Sequence, residues 1–296
     1  MMSNQIPYAF MPLLRQKKDF SLSPSFEAEL ARLNTRKAPF DNVIARYAMN
    51  MAIDKRALAA FLGAGETAAA GFVPPLAGYD SPQSLKVELA GKTYDVLQYD
   101  PAGARELLAA AGFPGAVGRD GRRLKVEILI FSSEKHKQIA EILQQQWQTN
   151  LGVEVSIVSE EIKVFLETEN NLVYNSVSES NWIGDYIDPN TFLDLMISNS
   201  SNNGTGWADQ HYDELLTEAN AAIDPATRMK KLAECERYML KAMPLMPLFY
   251  TTNVFLKKPF IRGATATLND LHPYKYMRVD MSWKAQSANT LAMATR

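Results

Sequence analysis

Apolar and polar positions alternate along Leu124–Phe131, with Leu124, Val126, Ile128 and Ile130 on one side, which is the period of a strand. Ser132 and Ser133 can then cap a helix from Glu134 to Asn150, whose apolar stripe is Ile139, Ile142, Leu143 and Trp147 and whose stop is Gly152. Val153–Val158 reads as a second strand, so this segment predicts a βαβ unit with parallel strands. Asp41 or Asn42 can cap a helix lined by Ile44, Tyr47, Ala48 and Met51, and Asp54 caps another, Lys55–Leu62, stopped by Gly63. Asp100-Pro101 and Asp224-Pro225 are helix starts by cap-plus-proline chemistry. The first leads into Leu107, Leu108 and Ala111, and the second runs to about Met243. Glu161–Glu169 predicts a short helix and Asp209–Ile223 a longer one with Tyr212, Leu215, Leu216 and Ala219 inward. Val173–Val177 and Met246–Leu256 read as strands. Phe26–Leu33 fits an extended segment or a helix, and residues 1–12 and the tail from Lys257 show no regular pattern. The alternation of strands and helices gives an α/β class.

Composition narrows the picture. With 296 residues, 47% hydrophobic, 22% charged and a net charge of −2, the chain has a soluble globular make-up, enough for one large domain or one and a half. The near-neutral balance, without a basic run, argues against a nucleic-acid partner. Its one cysteine, Cys235, excludes an internal disulfide and reads as a small apolar filler. No stretch approaches the roughly 18 apolar residues of a membrane span, so no membrane insertion is expected. Met1–Lys18 lacks the charged-then-apolar order of a signal peptide, its apolar piece Ala9–Leu14 being short and broken by Pro12.

The most informative stretch is Asn181–Phe192. It presents Trp182, Gly184 and Asp185 within four residues, then a helix start at Asp188-Pro189, with Phe192, Leu195 and Met196 as one apolar stripe. Ser198–Gly204 follows as a polar loop. Trp182 and Asp185 are thus expected on a strand-to-helix turn, the kind of place where open α/β sheets bind ligands. Trp182 could serve only the core, and Asp185 could bond its own backbone. The functional alternative is electrostatic: a carboxylate beside an indole can hold a ligand ammonium by a charge-assisted hydrogen bond, with cation–π help from the ring. Catalytic patterns are lacking. His136, His211 and His272 have neither metal spacing nor a paired cysteine. Gly63–Ala68 imitates a dinucleotide fingerprint but follows a helix, not a strand. Asp185 and Asp188 could suggest a carboxylate pair, but Asp188 is accounted for as the cap before Pro189. No enzyme activity, cofactor or metal is expected.

Several separate motifs share one resemblance. W-x-x-D-Y-x-D-P-x-x-F-L from Trp182 to Leu193, S-N-N-x-x-x-W from Ser201 to Trp207, and Tyr212-Asp213 resemble the extracellular solute-binding proteins of family 5, the oligopeptide- and dipeptide-binding components of ABC importers. N-T-x-K-x-P-F-D-N from Asn34 to Asn42, Ala52–Lys55 and the Y-D-P run from Tyr99 to Phe113 match the same family. The resemblance implies a periplasmic-binding-protein-like (type II) C-terminal lobe, a mixed sheet flanked by helices. It further implies an irregular N-terminus and ingoing hinge segment at 1–34, the lobe at 35–252, and a return segment at 253–296 belonging to an N-terminal lobe that is largely missing. The implied role is substrate recognition for import, of peptides or similar amino-bearing solutes, in the periplasm or another extracytoplasmic space, with an ABC permease and ATPase as partners. Trp182 and Asp185 would grip the ligand, Asn202 matches an asparagine that bonds the peptide main chain, and His136 matches a histidine that can face the peptide's carboxylate end. Two positions depart from the pattern. Glu179 stands where some relatives carry a basic residue for that carboxylate, and Thr251 stands where some carry an aromatic. A single jaw would bind weakly and expose apolar hinge surface for self-association. The alternatives are an enzyme whose activity would depend on Asp185, a non-transport interaction or sensory module, or an inactive truncated product.

Overall fold

The computed structural model describes residues 2–3, 10–265, 267–268 and 273–283; His272 and much of the 253–296 segment lie outside them. In chain order the elements are β1 (Met2–Ser3), α1 (Met11–Leu14), β2 (Phe20–Leu33), α2 (Val43–Met51), α3 (Lys55–Leu62), β3 (Thr67–Ala68), β4 (Lys86–Leu89), β5 (Lys92–Asp95) and α4 (Pro101–Ala110). Then come β6 (Lys125–Phe131), α5 (Glu134–Leu151), β7 (Glu154–Glu160), α6 (Ile162–Asn170), β8 (Val177–Ile183), α7 (Asn190–Leu193), α8 (Gln210–Ala221), α9 (Pro225–Ala242), β9 (Leu245–Lys257), β10 (Ile261–Arg262) and β11 (Arg278–Val279).

The main sheet is mixed, in the order β1-β9-β2-β8-β6-β7, with β3 on β9. The expected βαβ unit is present: β6 and β7 are parallel, joined by α5. β6 is also parallel to β8, while β2 runs antiparallel to both β8 and β9. The carboxyl ends of β6 and β8 therefore lie side by side. One leads into the N-terminus of α5 and the other into the turn at Gly184-Asp185.

Proline and aspartate starts work as read. Asp100 accepts from Ala102 and Gly103 amides, Asp54 from Ala57, Asp209 from Tyr212 and Asp224 from Thr227. Ser133 sits at the N-cap of α5 without a side-chain cap bond. Ile139, Leu143 and Trp147 of the α5 stripe are buried and Ile142 partly so, and Trp147 donates to the Met49 carbonyl at 3.0 Å, tying α5 to α2.

One open local reading resolves and two change. Phe26–Leu33 is part of the 14-residue strand β2. Six of its last eight residues are buried in unbroken succession (Leu33 back to Ala28), because layers cover both faces, and burial on both sides removes the alternation that marks a half-buried strand. The strand expected at Val173–Val177 lies later, at Val177–Ile183, because its polar run Ser178-Glu179-Ser180-Asn181 is held inside the sheet by side-chain partners. The helix after Asp188-Pro189 is one short turn, Asn190–Leu193, followed by a 3-10 turn at Asp194–Met196. Pro189 is its N-cap, and Asp188 accepts from the Asn190 amide at 2.9 Å while pairing with Arg228 through two bonds of 2.6 and 3.0 Å. Asp188 is thereby engaged, and no carboxylate pair with Asp185 forms.

Candidate functional site

Strand alternation decides what each side chain on β8 can meet. The register pairs Ala28 with Trp182, Leu30 with Ser180 and Arg32 with Ser178; the intervening positions pair Glu27 with Ile183, Glu29 with Asn181 and Ala31 with Glu179. Residues directly opposite share a face. Trp182, Ser180, Ser178 and Arg32 therefore lie on one face of the β2–β8 ladder, and Glu179, Asn181, Glu27 and Glu29 on the other. The contacts agree: Arg32 donates to Ser180, and Asn181 donates to Glu27 at 2.7 Å.

At the end of β8, Trp182 is half-buried against the core, and its indole nitrogen is shielded without a hydrogen-bond partner among the described residues. Gly184 follows with no room for a side chain. A Cβ there would lie 2.5 Å from the Phe26 ring and 3.1 Å from the Thr191 methyl. That close approach lets Phe26 pack edge-on against Phe192, 5.0 Å between centroids, and Phe192 against Phe72 at 5.3 Å. The turn is fixed further by Thr191, whose hydroxyl accepts from the Asp185 amide at 3.0 Å. Asp185 itself is exposed, and its carboxylate has no protein partner among the described residues. Asp194 is close enough to feel it: burial, and after it the charge of Asp185, raises the Asp194 carboxyl above its ordinary range. Ile183, Tyr186 and Ile187, all about half exposed, give this acidic lip an apolar rim.

The polar loop returns on Trp182's side of the ladder. Its Gly204 packs over Arg32 and Glu169, where a Cβ would meet the Glu169 chain at 2.8 Å. Asn203 is the loop's structural residue, donating to the Trp207 carbonyl at 2.8 Å and accepting from the Thr205 hydroxyl at 2.6 Å. Asn202 is exposed, and its amide side chain makes no hydrogen bond among the described residues. The Asn34–Lys37 motif anchors this end. Asn34 and Lys37 donate to the Tyr174 carbonyl at 2.7 and 2.9 Å, and the Thr35 amide and hydroxyl both donate to Thr205.

His136 is not brought to this surface. It is 4% exposed, in the first turn of α5, and packs on the Glu179 face of the ladder. Its Nδ1 lies 2.7 Å from Glu179 and 3.3 Å from Glu29, and Lys135 reaches Glu29 at 2.6 Å. Burial pushes both carboxyls well above the ordinary range and pushes the imidazole below its own. Thr251 donates to Glu27 at 2.9 Å on the same face.

Sequence reasoning missed Glu29 and Lys135. Neither stands in a spaced motif, and they meet His136 and Glu179 only through the register of two strands and the start of a helix. Lys55 was missed as well. It is buried at the start of α3 with its ammonium on the Ala69 carbonyl at 3.2 Å, and burial pushes it down to about 7. It lines a recess of about 650 Å³ with Arg56, Gln98 and Tyr99, remote in sequence from all four expected ligand residues, none of which lines it. The surface at Trp182 and Asp185 is an open lip by comparison.

Against known proteins, residues 1–204 match the family model described as bacterial extracellular solute-binding proteins, family 5 Middle. The dipeptide-binding protein DppE of Bacillus subtilis is 30% identical over 254 residues, covering 85% of this chain and 44% of the relative. The periplasmic murein peptide-binding protein MppA of Escherichia coli is 30% identical over 231 residues, 78% of this chain and 41% of the relative. The solved structure of that murein tripeptide-binding protein superposes with a TM-score of 0.80 at 28% identity, covering 94% of this chain and 53% of its own. Haemophilus influenzae OppA, solved in complex with the peptide RPPGFSPFR, gives 0.79 at 26% identity, with 94% and 54% covered. The chain spans about half the length of the curated relatives it matches.

Proposed function

The chain belongs to the bacterial extracellular solute-binding proteins of family 5, and on that premise we propose that it is the ligand-gripping lobe of a peptide receptor serving an ABC importer outside the cytoplasm. The reading rests on Asp185. Its carboxylate stands exposed at the carboxyl end of a central strand, without a protein partner among the described residues, beside Trp182 and with Asp194 adding negative potential. Such a lip receives a peptide's α-ammonium by a charge-assisted hydrogen bond, while the rim of Ile183, Tyr186 and Ile187 covers the first side chain. The Asn202 amide, exposed on the returning loop, is available to the peptide main chain. In this role the lobe hands solute to a permease–ATPase partner and does no chemistry on it.

Calorimetry with tripeptides, free and N-acetylated, tests this on the chain itself. Free-amine peptides should bind at least ~10-fold more tightly, the worth of one wet charge-assisted bond. The preference should vanish in Asp185→Asn. Equal affinity for both forms in the wild-type chain would remove Asp185 from the role.

A second reading, an amino-bearing solute that is not a peptide, is favoured by Glu179. The position turns an acid inward onto His136, and its own side chain offers no cation to a peptide carboxylate. Peptide amides that bind as well as free acids would favour it.

A further inference from the structure

The buried cluster behind β8 has the composition and spacing of a metal site. Glu29 from β2, Glu179 from β8 and His136 from the first turn of α5 each offer one ligand atom, and these atoms lie within 4.8 Å of one another. All three side chains are at most 5% exposed. The diagonal placement of Glu29 and Glu179 on one face of the ladder follows from the register, and α5 sets the imidazole between them. The Phe131 ring lies 3.9 Å from the imidazole and fixes its plane.

The cluster is incompletely satisfied. Glu29 gives one oxygen to Lys135 at 2.6 Å and Glu179 gives one to His136 at 2.7 Å. The other oxygens, Glu29 Oε1 and Glu179 Oε1, are shielded from solvent with no N–H donor on them, and the two carboxyl groups lie close enough to hydrogen-bond each other when one is protonated. Nδ1 carries at most one proton, so His136 cannot serve both acids. Orphaned buried acceptors are uncommon and costly. A divalent cation offers what no side chain here does, a second positive centre reachable by both oxygens and the imidazole nitrogen together.

We propose that Glu29, His136 and Glu179 bind one divalent transition ion of the Zn²⁺ class, leaving a fourth position for water. One imidazole nitrogen and two carboxylate oxygens form a borderline set that suits Zn²⁺, Co²⁺ or Ni²⁺ better than Mg²⁺ or Ca²⁺. Tetrahedral ligands at roughly 2.0–2.2 Å stand about 3.3–3.5 Å apart. The 3.3 Å between Nδ1 and Glu29 Oε1 already meets that spacing, and the 2.7 Å contact to Glu179 opens as its proton leaves. Lys135 orients Glu29 through its other oxygen, a positioning role outside the coordination sphere. The ion would pin the start of α5 to the two strands flanking the sheet's centre. This inference does not depend on the peptide reading, because it concerns the opposite face of the ladder.

Chelator-treated protein titrated with Zn²⁺ and, separately, Co²⁺ tests it. The expected result is one ion per chain at micromolar affinity or tighter, with Co²⁺ giving the intense visible bands of a four- or five-coordinate centre. His136→Asn and Glu179→Gln should each weaken uptake by ~100-fold or more, beyond what outer-sphere changes typically cost. Should either variant misfold, nitrogen NMR of the wild-type imidazoles decides alone: the His136 Nδ1 resonance must move on Zn²⁺ addition. No saturable uptake by ~0.1 mM metal, uptake surviving in both folded variants, or an unmoved His136 resonance would each overturn the assignment.

Discussion

The two faces of the β2–β8 ladder carry buried ionic clusters built from the same two strands, and they are finished to different degrees. On Trp182's face, Arg32 pairs with Glu169 of α6 at 2.9 Å and donates to Ser180, while Ser178 supplies Glu169's other oxygen at 2.6 Å. Every oxygen of that acid has a donor, and Gly204 seals the pair from above. On the far face, two acids share one imidazole, one ammonium and a hydrogen bond between themselves, and two oxygens have no N–H donor. A completed network specifies one packing and holds it. An incomplete one stores a demand for a proton or a cation, which is a demand a ligand can meet. The contrast separates a structural ion pair from a candidate site more sharply than burial does, since the acids of both clusters are almost fully buried.

The comparison breaks first at Arg32. Arg32→Met leaves Glu169 buried beside a single hydroxyl donor, and the expected loss is about 3–5 kcal/mol in urea unfolding. A loss under ~1 kcal/mol would show that the finished cluster is no more essential than the unfinished one. Glu236 extends the contrast to a third buried acid, which accepts from the Phe72 and Val73 amides, Tyr79 and Ser81. Burial raises it from 4.5 to about 7 despite those donors. Its folded form holds its proton more tightly than the unfolded form does. The stabilisation is therefore full below about pH 4.5 and is lost as the pH rises through about 7, on the order of 3 kcal/mol in all. Glu236→Gln should flatten that part of the pH–stability curve, and an unchanged slope would count against a protonated Glu236. Lys135→Met is expected to cost less than Arg32→Met, about 1–2 kcal/mol, because a carboxyl already biased toward its acid form neutralises instead of remaining a bare buried charge. Equal losses for the two variants in the same denaturation series would erase the distinction. Asp185→Asn should change stability by less than about 0.5 kcal/mol, its carboxylate being exposed, while removing the preference for free-amine peptides. A large drop in its melting temperature would make Asp185 a structural residue.

Helix starts, the βαβ unit and the family motif were legible because each depends on neighbours in sequence: Asp100 on the amides two and three residues on, the α5 stripe on a 3.6-residue period. β8 was not, because Ser178, Glu179 and Ser180 are buried by partners from β2, α5 and α6, and polarity alone reads as loop. The lip residues Trp182 and Asp185 were readable as one short motif on a turn, and the structure places them at the end of β8 as a half-buried ring and an exposed acid. His136 was singled out for its place at a helix start, yet what surrounds it is two carboxylates from distant strands. No linear spacing encodes Glu29 beside Glu179. The antiparallel register does.

β2 and β9 are long neighbours paired from Phe20 opposite Leu256 to Arg32 opposite Leu245, so the start of one and the finish of the other emerge together at a single corner of the sheet. Tension applied across that corner would peel the ladder rung by rung, as a zipper opens, and would not load all its bonds at once as in shear. The corner therefore opens under smaller forces than shear would need, while the Arg32 end stays shut.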